Sequence, residues 1–498
     1  MLGKQPDQGS LFSAQAQYLG FVGRDSFYGF LAQHARELFR DEDFACMYCL
    51  DNGRKSVAPS LLAISLLLQT YDRVSDEEAK QRADYDLRWK VALGVGMDER
   101  PFAKSTLQLF RAQLVIHDKA REIFRRSLEY AKAQGFLRNR KMRLALDTTH
   151  ILGRGAAQDT YNLIAEGVRN LSRALARASD QAWESWLQQQ GLGRYAQPSI
   201  KGSETVDWDE AASREAFLTA LIADGERALE LARQARSQME PEADQRIREA
   251  AQLLTVLLWQ DVEPGERGYR IRQGTARDRI PSVHDPQQRH GHKSHGKTFT
   301  GHKAAVAVDV ESQLITAVEV LPGNANDGDC AAALVEGSEA ATAAHAEQVI
   351  GDTAFGSMEV RQALGDNIEV IAPTPKPTSP RSITKADFQI DWEADVVRCP
   401  MGHETRHWTW VWVRTGRGKS KARTKRFAFD TEVCRACPLY QDCVGDKRRP
   451  GRLLTLHPHE AKLQEGRTLQ GTDYFRERYR QRMAAEHRLA RLVSLGIR

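Results

Sequence analysis

The chain has 498 residues, 41% of them hydrophobic and 28% charged, and this composition excludes a predominantly disordered protein. The net charge of +5 is too small to indicate a polyanionic partner by itself. The longest apolar stretch, residues 61–68 with Ser65 inside it, is far shorter than the roughly 20 residues that span a bilayer. Residues 1–10 lack a charged segment followed by an apolar one. We therefore predict a cytoplasmic protein of about three structural units, with no membrane partner.

The first part of the chain, 1–135, predicts a domain of short helices with short connections. We predict that one helix begins at Pro59. Ser75, followed by three acidic residues, favours the start of a second helix that ends near Gly94. Ser105 would cap the next helix. Two roles for this domain stay open on the sequence alone: packing or dimerisation, and DNA binding.

The next part, 136–372, predicts an α/β domain. An apolar run that ends in Asp147 is typical of a buried strand, and a helical insert over about 155–260 separates it from the following elements. These are strands at 303–310 and 313–321, a helix at 328–345, a strand at 348–352, a helix at 358–365 and a strand at 368–371. Elements in this order predict a sheet of mixed direction.

Four prolines between 373 and 380 indicate a stiff linker into a different unit. We predict that 373–456 is β-rich, because Trp408–Val413 and Phe427–Phe429 alternate like strands. The remaining segment, 457–498, again has a helical pattern. The predicted fold is therefore α/β, with an N-terminal helical domain, a helical insert, a small β insert and a C-terminal helix that completes the α/β domain.

Four of the seven cysteines lie in the β-rich unit: Cys399, Cys434, Cys437 and Cys443. An odd number of cysteines in a chain of this size argues against a disulfide framework. Four thiols with one Cys-x-x-Cys pair suit tetrahedral Zn²⁺, and we favour a zinc site over four unrelated buried thiols. His403 or His407 could replace one thiol. We interpret the remaining cysteines as core residues: Cys46, Cys49 and Cys330.

The same unit contains a run of basic residues with no acidic residue among them. It consists of Arg414, Arg417, Lys419, Lys421, Arg423, Lys425 and Arg426. Such a run can be a solvated loop. However, like charges at the tip of a hairpin repel one another, and a polyanion that releases its counterions relieves this repulsion. We therefore predict that these residues contact DNA.

Five histidines are concentrated between residues 284 and 302. They are His284, His290, His292, His295 and His302. A metal site is one interpretation, but no acid or thiol stands among them at ligand spacing. We favour a segment that faces phosphate.

Two aspartates, Asp147 and Asp352, stand at the ends of predicted strands, where functional groups gather in open α/β sheets. A single aspartate there is more often a turn or cap residue, so a third carboxylate would strengthen the case. Glu486 lies on the predicted C-terminal helix, near one face with Tyr479 and Arg482. Its partner is either Arg482, four residues away, or a divalent cation shared with the two aspartates.

Several short motifs occur in a characteristic order along the chain. They are Asp147-Thr148-Thr149, Gly301-His302-Lys303 with Asp309, the segment 322–327, the segment 351–355, and Tyr479-x2-Arg482-x3-Glu486. In this order the chain resembles, over nearly its whole length, the DDE transposases of bacterial insertion sequences. It is similar to the branch with a Tyr-Arg-Glu-Lys signature, whose final Lys falls on Val493 here.

The resemblance implies an RNase H-like catalytic core with two Mg²⁺ or Mn²⁺ ions held by Asp147, Asp352 and Glu486. Water would attack a phosphodiester at the transposon end, and the freed 3′-hydroxyl would then attack target DNA. Tyr479 and Arg482 would hold DNA phosphate. The implied partner is double-stranded DNA, both transposon ends and target, bound by a homodimer at the nucleoid.

Two other functions stay open at this level. One is a nuclease on the same core that cuts DNA without joining strands. The other is a non-catalytic DNA-binding protein derived from a transposase, which the departure at Val493 favours. A strand-transfer assay with divalent metal separates these functions.

Overall fold

The computed structural model describes residues 1–497 except 6–10, 50–51, 138–140, 154, 236–240, 267, 295, 376–381, 415–420 and 446–450. The chain forms two compact units. The first comprises 1–147, 305–319 and 327–497, and the second comprises 148–304 and 320–326. None of the described helices is both long and apolar enough to cross a membrane.

The structure is a mixed α/β protein with a helical N-terminal region. The helices are α1 (Ala14–Val22), α2 (Phe27–Leu38), α3 (Pro59–Asp72), α4 (Asp76–Tyr85), α5 (Leu87–Leu93), α6 (Lys104–Ile116), α7 (Ala120–Ala133), α8 (Thr160–Ala178), α9 (Trp183–Gln189), α10 (Ala211–Ala235), α11 (Pro241–Trp259), α12 (Ala331–Thr342), α13 (Met358–Leu364), α14 (Thr431–Ala436), α15 (Tyr440–Cys443), α16 (Glu460–Gln470), α17 (Asp473–Arg480) and α18 (Met483–Ser494). The strands are β1 (Lys141–Leu152), β2 (Val262–Pro264), β3 (Tyr269–Ile271), β4 (Arg289–Ser294), β5 (Lys297–Asp309), β6 (Ile315–Pro322), β7 (His345–Ile350), β8 (Glu369–Ile371), β9 (Gln389–Asp391), β10 (Val396–Arg398), β11 (Glu404–Thr405), β12 (Trp408–Arg414), β13 (Lys421–Ala428) and β14 (Leu453–Thr455).

Local capping explains where the N-terminal helices begin. Pro59 is the first residue of α3, and the Ser75 hydroxyl accepts a hydrogen bond from the backbone of α4, as predicted. The predicted single helix ending near Gly94 is in fact two helices, because Asp86 is extended and its carboxylate caps α5. The predicted cap Ser105 lies inside α6, because Ala103 already takes the extended conformation of an N-cap residue.

A buried carboxylate holds the N-terminal helices together. Asp72, at the end of α3, accepts hydrogen bonds from the Tyr28 hydroxyl (2.6 Å), the Arg82 guanidinium (2.7 Å) and the Trp89 indole (2.7 Å). These donors come from α2, α4 and α5, so one side chain joins four helices. Burial, together with the bond to Asp72, raises the pKa of Tyr28 to about 12. The hydroxyl therefore stays a donor at neutral pH.

The central sheet has the strand order β4-β5-β1-β7-β8, and β6 also pairs with β5. β7 runs parallel to β1, and β8 runs parallel to β7. β4 and β5 are antiparallel. The sheet is therefore of mixed direction, as the order of elements predicts.

The first strand of the sheet is longer than the sequence predicts, and the prediction that Asp147 ends it is wrong. Backbone hydrogen bonds from Val310 N to Arg143 O (2.9 Å) and from Gly153 N to Thr300 O (3.0 Å) show β5 antiparallel to β1. β5 pairs with β1 beyond the point at which the pairing between β7 and β1 ends. An apolar run marks only the buried half of the strand, whereas backbone pairing extends through polar residues.

The second unit contains the predicted helical insert. Its core lies between α8, α10 and α11 and contains mostly leucine, isoleucine and aromatic side chains. A Cβ at Gly225 on α10 would lie 2.6 Å from the Leu258 side chain on α11, so glycine permits the close contact of these helices. At the end of the insert, Asp261 is buried and accepts from Arg279 (2.6 Å) and Thr160 (3.1 Å).

The β-rich insert contains two small sheets, β11-β10-β9 and β12-β13-β14. Phe388, Val397 and Phe427 are buried in their common core. The insert is also tied to α16 by the fully buried carboxylate of Glu460. This carboxylate pairs with Lys385 and accepts from Arg467 at 2.8 Å.

Replacing Glu460 should destabilise the protein. Glu460→Gln leaves Lys385 and Arg467 without their anion, and breaking a buried pair costs about 3–5 kcal/mol. Burial opposes ionisation of Glu460, but the bonds from these two cations prevail and hold its pKa below the ordinary 4.5. The stabilisation is therefore complete above pH 4.5 and is lost as the pH falls through the lowered pKa.

Urea unfolding of both proteins at several pH values measures this effect. The difference in the free energy of unfolding should be largest at neutral pH and should shrink in acid. The exposed Glu465 on the same helix offers the control Glu465→Gln, which should change little. Equal losses in the two variants would contradict the role of Glu460.

Candidate active site

Asp147 and Asp352 both lie shortly after the point where the parallel pairing of β1 and β7 ends. The pairing ends with Ala145 opposite Ile350, and each aspartate follows two residues later in its own segment. Asp352 lies just beyond β7, and its Oδ1 accepts a hydrogen bond from Ala354 N at 2.9 Å. Both aspartates are half-buried.

The C-terminal helix α18 covers the face of the sheet on which Asp147 lies. Ala145 packs in one cluster with Val306 of β5 and with Ala485 and Leu489 of α18. Side chains two positions apart on a strand share a face. Asp147 therefore follows Ala145 on the face that α18 covers.

Glu486 lies in the first turn of α18, next to the buried side chains of this helix. Its carboxylate pairs with Arg482, and 42% of the side chain is exposed. Arg482 is thus the partner of Glu486 in this structure, which is the alternative to a shared metal ion that the sequence offers. Within the described residues, no group of three or more His, Cys, Asp or Glu is arranged to hold a metal ion.

The segment that carries Tyr479, Arg482 and Glu486 is not one continuous helix. α17 ends at Arg480 and α18 begins at Met483, so the prediction of a single helix face is wrong. Tight turns at the junction are the reason, with Ala485 N donating to Arg482 O at 3.1 Å. Arg482 nevertheless lies over the Tyr479 ring, 5.5 Å from its centroid, and pairs with Glu486.

Arg143 is a further candidate for the site that the sequence reasoning missed. It precedes Asp147 by four residues on β1 and therefore shares its face of the sheet. Its Nη1 donates to Gln481 Oε1 at 3.1 Å, in the junction between α17 and α18. The alternation of Arg143, Ala145 and Asp147 along the strand is the signal that could have identified it.

The four thiols of the β-rich insert line one pocket, as do His403 and Arg452. His407 is not among its lining residues. The pKa values of Cys434 and Cys443 are raised, mainly by burial and further by the neighbouring thiols. The four thiols share one pocket, but they are not among any described group of His, Cys, Asp or Glu arranged to hold a metal ion.

The other cysteines differ from one another in their surroundings. Cys46 and Cys49 are exposed, so their prediction as core residues is wrong. They lie in a short 3₁₀ segment and just after it, where Phe44 and Met47 are the side chains that point into the core. Cys330 is buried as predicted, and burial raises the pKa of its thiol to about 12.

The predicted basic run lies on the hairpin of β12 and β13. Lys421 and Arg423 are exposed. Lys425 pairs with Asp395, and Arg426 Nε donates to Thr455 Oγ1 at 2.9 Å. Although the run itself contains no acidic residue, some of its basic side chains therefore have partners elsewhere in the insert. Arg417 and Lys419 lie outside the described residues, and so does the side chain of Arg414.

The described histidines of the 284–302 segment do not form one cluster. His290 Nδ1 lies 2.9 Å from Thr300 Oγ1, and burial beside Arg279 lowers its pKa. His302 Nε2 lies 3.2 Å from Asp285 Oδ2. β4 and β5 place these side chains within a hairpin, where they bond to local partners, and His295 lies outside the described residues.

Comparison with known families identifies two segments of the chain. Residues 17–113 match the model of a transposase domain (DUF772), and residues 398–498 match the model of a transposase DDE domain. The second match includes the four thiols, the β12–β13 hairpin and Glu486. No curated protein and no solved structure matches the chain.

Proposed function

We propose that this chain, an insertion-sequence DDE transposase by its two matched domains, cleaves DNA at transposon ends and joins the cut strand to target DNA. The observation that carries the proposal is the register of β1 and β7, which supports neighbouring positions for Asp147 and Asp352. The mixed sheet with α18 on one face is consistent with an RNase H-like core. Asp147, Asp352 and Glu486 are the catalytic carboxylates in this proposal.

The donor set suits hard divalent cations. Carboxylate oxygens are the ligands that Mg²⁺ and Mn²⁺ prefer. Two such ions, when bound, activate the attacking oxygen and stabilise the leaving oxygen of an in-line displacement. The role of the chain is to hold three carboxylates on one face of the sheet and to place the phosphate beside them. Glu486 would exchange its partner Arg482 for this shared site when DNA binds.

Two arginines and one tyrosine near the carboxylates would hold the DNA. Arg482 and Tyr479 are in contact with each other next to Glu486. Arg143 lies on the Asp147 face of β1. A guanidinium released from a carboxylate or an amide can bind phosphate with two parallel hydrogen bonds. We assign to these three residues the positioning of the scissile phosphate.

The β-rich insert would be stabilised by zinc. Four thiols around one pocket match the number and kind of ligands in a structural Zn²⁺ site. The thiols would have to lose their protons on binding, and the raised pKa values of Cys434 and Cys443 oppose this loss in the protein without zinc. Zinc would therefore hold the 399 and 434–443 segments together.

The exposed basic residues of the β12–β13 hairpin should contribute affinity for double-stranded DNA without any preference for a base sequence. Phosphate contacts position a protein and carry little base information. Lys421→Ala with Arg423→Ala should weaken binding to every duplex. It should also lower the slope of log K against log salt by about 0.9 for each lost contact. Fluorescence anisotropy across a salt series measures both.

The matched control removes two exposed arginines of the second unit. Arg233 and Arg246 are 77% and 60% exposed. Arg233→Ala with Arg246→Ala should leave the slope unchanged. If the hairpin variant loses only sequence-specific binding and keeps its salt slope, its residues contact bases, and the assignment to phosphate is wrong.

The proposed activity is tested with the DNA that flanks the gene. Inverted repeats there would supply the end sequences, and a strand-transfer assay with Mg²⁺ or Mn²⁺ should yield joined products from a homodimeric complex. Cleavage without joining would indicate the nuclease. Binding without cleavage would indicate the non-catalytic derivative, which the Arg482–Glu486 ion pair favours.

A further inference from the structure

One face of the β12–β13 hairpin carries a row of tryptophans beside basic residues. Trp408, Trp410 and Trp412 alternate along β12 and therefore share a face. In the register of the hairpin, Arg423 lies opposite Trp412 and Lys425 lies opposite Trp410. Aromatic and cationic side chains thus form a single strip across two strands.

The strip is buried at one end and open at the other. Trp408 packs against the core of the insert, next to the fully buried Phe427. Trp410 and Trp412 are 48% and 68% exposed. Large exposed aromatic side chains on neighbouring same-face positions are costly in water and indicate a binding surface.

Cations lie over two of the three rings, the partly buried Trp408 and the exposed Trp410. The Arg423 guanidinium is 4.8 Å from the Trp410 ring centroid, and the Lys425 ammonium is 4.6 Å from that of Trp408. Trp412, by contrast, contacts no aromatic ring or cation among the described residues. The surface therefore offers flat apolar rings together with positive charge, which complements a polyanion that has flat apolar groups of its own.

We propose that this strip binds unpaired nucleotides of DNA by stacking their bases on Trp410 and Trp412. The proposal rests on the proposed function, which it deepens by naming single-stranded DNA as the ligand of this part of the hairpin. In a duplex the base faces are stacked on one another, so only unpaired bases can present a face to an indole ring. Aromatic platforms in a basic groove are the usual means by which proteins bind single strands.

The dimensions of the strip fit separate bases. Residues two positions apart on a strand are spaced by about 6.8 Å, which is about twice the 3.4 Å step between bases in one strand of a duplex. Each indole can therefore accept its own base. Lys421 and Arg423, the exposed cations of β13, are available for the phosphates that connect these bases.

Binding of the full-length protein to a labelled oligothymidylate of about 16 nucleotides, the upper site size of one single-strand module, tests the proposal beside a duplex of equal length. Trp410→Ala and Trp412→Ala should each weaken single-strand binding about tenfold. Duplex binding should stay nearly unchanged. The Phe variants at both positions keep a flat ring and should retain most of the single-strand affinity.

The control is Trp392→Ala, which removes a tryptophan of the same insert that is 43% exposed and lies outside the hairpin. It should bind both DNAs like the unchanged protein. Equal losses on single strand and duplex for the Trp410 and Trp412 variants would overturn the stacking role, because the strip would then contact duplex DNA. No loss on either DNA would also overturn it.

Failure of the proposed function is distinguishable from failure of this inference. If the unchanged protein binds neither duplex nor single strand, DNA binding itself is refuted and both fall. If it binds and cleaves duplex ends while the tryptophan variants bind single strands normally, only the stacking role falls.

Discussion

Asp147→Asn, Asp352→Asn and Glu486→Gln should each reduce metal-dependent DNA cleavage by at least about 10²–10³-fold. That range is the loss on removing one neutral hydrogen-bond donor from a preorganised site, and each of these substitutions removes a full charge that would hold a divalent cation. DNA affinity should be nearly unchanged, because binding depends on the basic side chains. Cleavage of labelled transposon ends, measured beside anisotropy with the same DNA, separates the two properties.

Matched carboxylates elsewhere on the chain serve as controls. Glu477 is exposed on α17, and Asp366 is 85% exposed on the side chain. Glu477→Gln and Asp366→Asn should cleave DNA normally. Full activity of the Glu486→Gln protein would show that the ion pair with Arg482 is the only role of this glutamate, and the triad would be wrong.

The second large effect is expected at the thiols of the β-rich insert. Cys437→Ser should abolish binding of one equivalent of zinc, measured by elemental analysis of protein purified without chelator. Structural zinc contributes about 10–16 kcal/mol of apparent binding free energy in small zinc domains. The insert should therefore become sensitive to proteolysis within 383–456 in this variant, while the N-terminal helical region stays protected.

Cys46→Ser is the control for this experiment. Cys46 is an exposed cysteine outside the pocket, so its loss should change neither zinc content nor proteolysis. A protein without zinc whose insert is nevertheless resistant would show that the four thiols are ordinary core residues. Phe388, Val397 and Phe427 would then be sufficient to hold the insert together.

The predictions from the sequence were least accurate where contacts between distant parts of the chain determine the bounds of a strand or a helix. Asp147 lies inside β1 because β5 continues to pair with this strand, a contact between distant parts of the chain. Tyr479 and Glu486 lie on two helices because the backbone tightens at the junction. No local residue pattern indicates either event. Lys425 and Asp395 likewise form an ion pair that the basic run alone does not indicate.

The sequence by itself determined the elements that local chemistry controls. Pro59 and the Ser75 cap begin their helices, and the alternation of Trp408, Trp410 and Trp412 forms a strand, because these preferences act over a few residues. Only the tertiary structure decided that the strands before Asp147 and Asp352 pair in parallel as neighbours in one sheet. The physical reason is that strand register depends on backbone hydrogen bonds between residues about 200 positions apart, which no short stretch of sequence specifies.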